Sequence, residues 1–164
     1  MPRTYAALEV WPLLAADVAW AAELQRDAWG TVVARRGELV DPTRLPGFVA
    51  LLDGERAGLA TYAIRGDSCE VVTIQSLREG RGVGRALLDA VRSAALDAGC
   101  RRLWLVTTNN NTRALGVYQR YGMEIAAFYH DAVALSRQVK PSIPERDADG
   151  IPIAHELELE LRLD

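Results

Sequence analysis

The chain carries no excess of positive charge: 19 Lys and Arg against 22 Asp and Glu leave a net charge of −3. Nucleic-acid-binding domains show a basic surplus, so no nucleic acid is expected among the partners. Cysteine is scarce. Cys69 and Cys100 are too few for a disulfide framework and do not form a metal-binding spacing; they read as reduced thiols of a cytoplasmic protein. No long apolar run occurs. The best candidate, residues 10–22, is broken by Asp17 and bordered by Glu9 and Glu23. That argues against a signal peptide or membrane span, and no membrane partner is expected. Lysine is nearly missing, Lys140 being the single one among the 19 basic residues, which reflects genomic base composition rather than mechanism. There is no repeat, no low-complexity segment, no trustworthy Ser-His-Asp order and no metal-ligand cluster, so no metal is expected.

What is present suits one domain over residues 1–164, long enough to bury a core. Hydrophobic residues make up 49% and charged residues 25%, as in an ordinary globular chain. Residues 4–10 read as a first strand. Pro12 suits the first turn of a helix running to about Ala28, with Leu13, Val18, Ala21 and Leu24 along one side and Gly30 as its stop. Residues 31–46 are irregular, with a short hairpin around Arg36-Gly37. Three strands follow in meander order (48–52, 57–64, 69–77), joined at Asp53-Gly54 and Gly66-Asp67.

A helix carrying Val83, Leu87, Val91 and Ala95 comes next, closed by Gly99. A buried strand at 102–107, a helix at 112–121 and a strand at 123–130 follow. Residues 131–139 suit a helix and 140–153 a loop. Leu157, Leu159, Leu161 and Leu163 alternate with charge, which marks a last, half-solvated strand with Glu156, Glu158 and Glu160 on its wet face. The order implies an α/β architecture, an antiparallel meander followed by a parallel crossover.

Within this order the most informative stretch is Arg78-Glu-Gly-Arg-Gly-Val-Gly-Arg85, with Gly80, Gly82 and Gly84 at alternate positions between a Val/Ile-rich strand and an amphipathic helix. Such a loop leaves backbone N–H groups pointing outward with the helix dipole behind them, which suits phosphate. Glycine permits close approach and the backbone angles required. Arg81 and Arg85 bracket the glycines and can reach a diphosphate. A tight turn with no ligand is the plain alternative. A dinucleotide loop would follow the first strand of a βαβ unit and precede an acidic residue about twenty positions on; here the loop follows a meander, and Asp97 falls at a helix end.

Further along, Asn111-Thr-Arg-Ala114-Leu-Gly-Val-Tyr118-Gln-Arg-Tyr-Gly122-Met123 supplies a second ordered pattern. Together the two segments resemble the GNAT superfamily of N-acetyltransferases, which joins a Gly-rich pyrophosphate loop to a later Asn-x-x-Ala-x-x-x-Tyr-x-x-x-Gly-aromatic segment. The element order matches from about Thr4 to Leu163. Glu79 stands where Arg or Gln is usual, Met123 where an aromatic is, and Ser76 where a proline is common. The resemblance implies a GNAT-like mixed sheet, an antiparallel meander with splayed central parallel strands, flanked by helices, and acetyl-CoA as co-substrate.

It also implies a set of contacts. The diphosphate would lie on Arg78, Glu79, Gly80, Arg81, Gly82, Val83, Gly84 and Arg85, and the pantetheine arm along Val72, Thr73 and Ile74, as an added strand would. The N–H near Ile74 would polarise the thioester carbonyl. Asn111 and Ala114 match contacts to the cofactor arm, and Asn111 is equally a natural helix N-cap. Tyr118 matches the general acid, since a phenol of pKa about 10 stays protonated at neutral pH; the alternative is a core aromatic bonded to a backbone carbonyl.

Glu70 is a candidate general base acting through water and His130 another, each with an ordinary structural role as the competing reading. His155 reads as a surface residue. Tyr121 packs or borders the cofactor, and Trp20 and Trp104 read as packing. The acceptor side is expected from the first helix and residues 31–46, with Trp29, Arg35, Glu38 and Asp41 as lining. The expected function is acetyl transfer to a primary amine of a small molecule or protein by direct attack in a ternary complex. The alternative is a non-catalytic acyl-CoA-binding sensor or regulatory module. Family members often dimerise, so a homodimer is an open expectation.

Overall fold

The computed structural model describes residues 7–164, so residues 4–6 of the expected first strand lie outside it. In chain order the elements are β1 (Leu8–Pro12), a 3-10 turn (Ala15–Asp17), α1 (Val18–Trp29), β2 (Val33–Arg35), β3 (Glu38–Val40), a second 3-10 turn (Pro42–Arg44), β4 (Gly47–Leu52), β5 (Glu55–Arg65) and β6 (Ser68–Ser76). Then come α2 (Val83–Asp97), β7 (Arg102–Thr108), α3 (Thr112–Tyr121), β8 (Glu124–Tyr129), α4 (Ala132–Val139) and β9 (Glu156–Arg162). Seven strands make one mixed sheet in the order β1-β4-β5-β6-β7-β9-β8, and β2–β3 form a separate hairpin. Among the described helices none is long and apolar enough to cross a membrane.

The helix α2 buries Val83, Leu87, Leu88, Val91 and Ala95 against Ala60, Val71 and Leu103 of the sheet. Burial of each large aliphatic side chain contributes roughly 1.5–3 kcal/mol. Close docking depends on Gly58 in β5, where a Cβ would come within 2.6 Å of the Val83 side chain. On the opposite face Ala21 of α1 packs on Val49 and Leu59.

Two strands part at the centre. β6 runs parallel to β7 only from Ser68–Arg102 to Glu70–Trp104. On its other side β6 pairs with β5, but Thr61 faces Thr73 while Tyr62 faces Val71, so Val72 is an unpaired bulge. A bulge increases local twist and bends its strand, and past it β6 and β7 splay.

Three expectations change. Pro12 ends β1 rather than starting a helix; it pairs with Phe48 on the sheet's outermost strand, where proline's missing N–H leaves no ladder bond broken. The helix begins later, at Val18. The glutamate face of β9 is not wet. Glu156 and Glu158 are 2% and 8% exposed because the β2–β3 hairpin and α4 lie over them. The Arg36 N–H donates to Glu156 (2.9 Å), as does the Ser136 hydroxyl (3.0 Å), while Arg102 and the Tyr129 hydroxyl serve Glu158.

Candidate active site

The loop after β6 enters α2 through Gly80 and Gly82, whose φ angles of +68° and +78° are left-handed values that glycine adopts without strain. The first helical bond runs from the Ala86 N–H to the Gly82 carbonyl (3.0 Å). The N–H groups of Val83, Gly84 and Arg85 precede it, and no described residue accepts from them. With the dipole of α2 behind, they have the geometry that suits an anion. Gly84 is the most telling residue. Its φ is not left-handed, and a Cβ there would have nothing within 4 Å, yet glycine inside a helix costs roughly 0.5–1 kcal/mol relative to alanine. Neither backbone nor packing requires it, and what it leaves is room.

That room opens into a cleft of about 430 Å³ between β6, the glycine loop and α3. Of the residues expected at the cofactor, Ile74, Arg78, Glu79, Gly80, Gly82, Val83, Gly84, Arg85, Asn111, Ala114 and Tyr118 line it; Arg81, Val72 and Thr73 do not. The Leu77 N–H donates to Ala57 in the direction of β5. By the two-residue period of a strand, the N–H groups of Ser76 and Ile74 point to the other edge. Since β7 pairs only up to Glu70, the Ile74 N–H faces the opening.

Tyr118 is 8% exposed, and no described residue hydrogen-bonds its hydroxyl, unlike the core aromatic with a carbonyl partner weighed above. Burial pushes its pKa up to about 12, so it holds its proton throughout the neutral range. Asn111 begins α3 but makes no side-chain cap; its Nδ2 donates instead to the Thr107 hydroxyl (3.1 Å). Tyr121 donates to Asp89 (2.8 Å) and ties α3 to α2. At the cleft mouth Glu79 pairs with Arg113, whose hydrogen bond holds the Glu79 carboxyl below its usual range.

The other face of β6 is polar. The Thr73 hydroxyl lies 2.6 Å from that of Thr61 and accepts from Nε2 of Gln25 (3.2 Å). Gln25 lines a cavity of about 210 Å³ between α1 and the Pro42–Arg44 turn, together with Asp41. Nearby on this face, Glu70 receives two bonds of 2.7 Å from Arg35, which also reaches Glu38. Glu70 is thus buried within β6 in a bidentate ion pair, with one lone pair left on each oxygen. Arg35, Glu38 and Glu70 line a second cavity of about 270 Å³ with Trp104. Trp29 lines neither; its carbonyl accepts from Lys140. His130, Asp131 and His155 meet outside these cavities, with ligand atoms within 4.8 Å of one another; there the Asp131 N–H donates to Nδ1 of His155 (2.9 Å).

Sequence reasoning missed Gln25, Arg113 and Gln75, which lines the cleft beside β6 with a buried Oε1 that no described residue meets. Only Gln25 left a signal, a polar residue four positions after buried Ala21 on the inward stripe of α1.

The donor set fits coenzyme A: free N–H groups and arginines for a diphosphate, an unpaired strand edge for an amide-bearing arm, and a glycine floor that a Cβ would fill. The comparisons agree. Residues 7–123 match the family model described as Acetyltransferase (GNAT) family. The uncharacterized protein YdhI of Bacillus subtilis (strain 168) is 40% identical over 131 residues, spanning 79% of this chain and 82% of its own. An aminoglycoside N(6')-acetyltransferase type 1 of Salmonella typhimurium is 30% identical over 99 residues, 53% of this chain and 68% of its own. Among solved structures, the IAA acetyltransferase of Bacillus cereus superposes with a TM-score of 0.70 at 19% identity, covering 96% of this chain and 100% of that one. A Bacillus subtilis acetyltransferase in complex with CoA gives 0.66 at 17%, covering 98% and 100%. Sequence motif, splayed sheet and family match converge, and the chain belongs to the GNAT family of acetyltransferases.

Proposed function

We propose that this protein moves the acetyl group of acetyl-CoA onto a primary amine by direct attack within a ternary complex. The observation that carries the proposal is the Tyr118 hydroxyl, without a partner among the described residues, lining the same cleft as the free N–H groups of the α2 N-terminus. A small-molecule amine is the preferred acceptor, supported by the likeness to an aminoglycoside acetyltransferase and by the modest volume of the cavities behind β6. No observation favours a non-catalytic acyl-CoA module.

Bound acetyl-CoA supplies an activated acyl group: the amine nitrogen bonds to the thioester carbon, the carbon–sulfur bond breaks, and an amide and free thiol result. The chain's residues do the rest. The Val83, Gly84 and Arg85 N–H groups anchor the diphosphate, and the outward N–H of Ile74 donates to the carbonyl oxygen as negative charge develops there. Tyr118 gives its phenolic proton to the leaving sulfur and regains one from solvent as the amine sheds its own. Glu70 acts as base through a water on its remaining lone pairs, while its bond to Arg35 holds the β2–β3 hairpin over the acceptor side.

The test is thiol release from acetyl-CoA across a panel of aminoglycosides, polyamines and peptide N-termini. Tyr118→Phe is expected to lower kcat by on the order of 10²–10⁴ with the Kd for acetyl-CoA unchanged. Unaltered turnover would remove Tyr118 from the chemistry. Acetyl-CoA binding without release for any amine would overturn the proposal itself.

A further inference from the structure

We infer that Gln25 binds the acceptor, its side-chain oxygen taking a hydrogen bond from the N–H of a compact primary amine that enters between α1 and the Pro42–Arg44 turn. The inference rests on the acetyl-transfer reading and names the residue and acceptor chemistry of that site. Gln25 is 1% exposed on a helix face otherwise packed with Ala21 and Leu24. An amide in such a place is costly unless its hydrogen bonds are made. One is: Nε2 donates to Thr73, whereas Oε1 has no partner among the described residues.

Nε2 is taken up by Thr73, whose hydroxyl lies 2.6 Å from that of Thr61, and in this arrangement the amide presents its oxygen. Thr73 immediately precedes Ile74, whose N–H faces the opening between β6 and β7. Gln25 therefore reaches the strand within one residue of the oxyanion position, from the face opposite the coenzyme cleft. The cavity it lines, about 210 Å³, equals the liquid volume of about seven waters, which suits a short aliphatic amine or the amine-bearing end of a larger one.

An unpaired accepting oxygen calls for a donor. A neutral primary amine has two N–H bonds and one lone pair, so it can give a hydrogen to Gln25 while the lone pair stays free to attack. Gln25 is uncharged and does not favour the unreactive ammonium form, as a carboxylate at this position would.

The experiment compares wild type, Gln25→Met and Gln25→Glu with the best amine of the panel. Gln25→Met should raise the acceptor KM by about tenfold, the loss of one hydrogen bond, with the Kd for acetyl-CoA unmoved. Gln25→Glu, which keeps the oxygen and adds charge, should restore KM and shift the rise of kcat/KM with pH upward by about one unit. An unchanged acceptor KM in Gln25→Met, or an unshifted profile in Gln25→Glu, overturns the inference while leaving acetyl transfer intact. Titration of the wild-type CoA complex with n-propylamine, read at the Gln25 side-chain amide signals by NMR, tests binding apart from turnover. Movement of those signals supports the inference even if no amine is acetylated, and their constancy refutes it whether or not the variants fold.

Discussion

Replacing Gly84 by alanine should push stability and coenzyme binding in opposite directions. In α2 the residue has no left-handed φ, and beyond its chain neighbours and the helix's own backbone the new methyl would meet no described atom within 4 Å. The folded chain then gains alanine's helix propensity, at most about 1 kcal/mol, less so close to the helix start. For a chain of 164 residues that corresponds to a rise in Tm of up to about 2–4 °C. The same methyl projects into the cleft where the N–H groups of Val83 to Arg85 would hold the proposed diphosphate. Displacing the diphosphate from one charge-assisted hydrogen bond costs roughly 1.5–3 kcal/mol, or about 10- to 150-fold in Kd. Thermal melting of the free protein and calorimetric titration with CoA read the two effects separately. A raised Tm with unchanged CoA affinity would show that no ligand approaches Gly84, and the anion site would lose its support. A lowered Tm would mean that the space above it is not free.

Two further outcomes concern the interior. Arg35→Met should strand the Glu70 carboxylate, now bonded twice at 2.7 Å, costing about 3–5 kcal/mol and lowering Tm by roughly 6–20 °C; adding Glu70→Leu should recover much of this, and a Tm unmoved by Arg35→Met would contradict a buried pair. Burial raises the pKa of Cys69 from 9.0 to about 12 and that of Tyr118 from 10.0 to about 12. Both groups stay neutral in the folded chain where the unfolded one ionises, so their stabilisation is whole below pH 9 and drains away between pH 9 and 12. Melting curves should show Tm falling across that window, less steeply in Cys69→Ala; equal slopes would place the loss elsewhere.

The cleft between β6, the glycine loop and α3, proposed above for the coenzyme, was legible because its physics is local. Alternate glycines, the apolar stripe of α2 and the Asn111-to-Gly122 segment each act within a few residues, and the cleft assembles from those two helix starts and one strand edge. The cavities behind β6, proposed above for the acceptor, depend on partners remote in sequence. Gln25 meets Thr73, Arg35 meets Glu70, and the turn after β2 meets Glu156; no spacing rule connects residues brought together by a sheet's curvature and a docked hairpin.

Strand β9 shows the division within a single element. Its Leu/Glu alternation settles that a strand forms and which side chains share a face, since the period of two belongs to the extended backbone. Whether the glutamates meet water or bury beneath Arg36, Ser136 and Arg102 is the same pattern either way. Only the packing of β2–β3 and α4 across that face chose burial, because a carboxylate's surroundings are set by what folds over it, not by its neighbours along the chain.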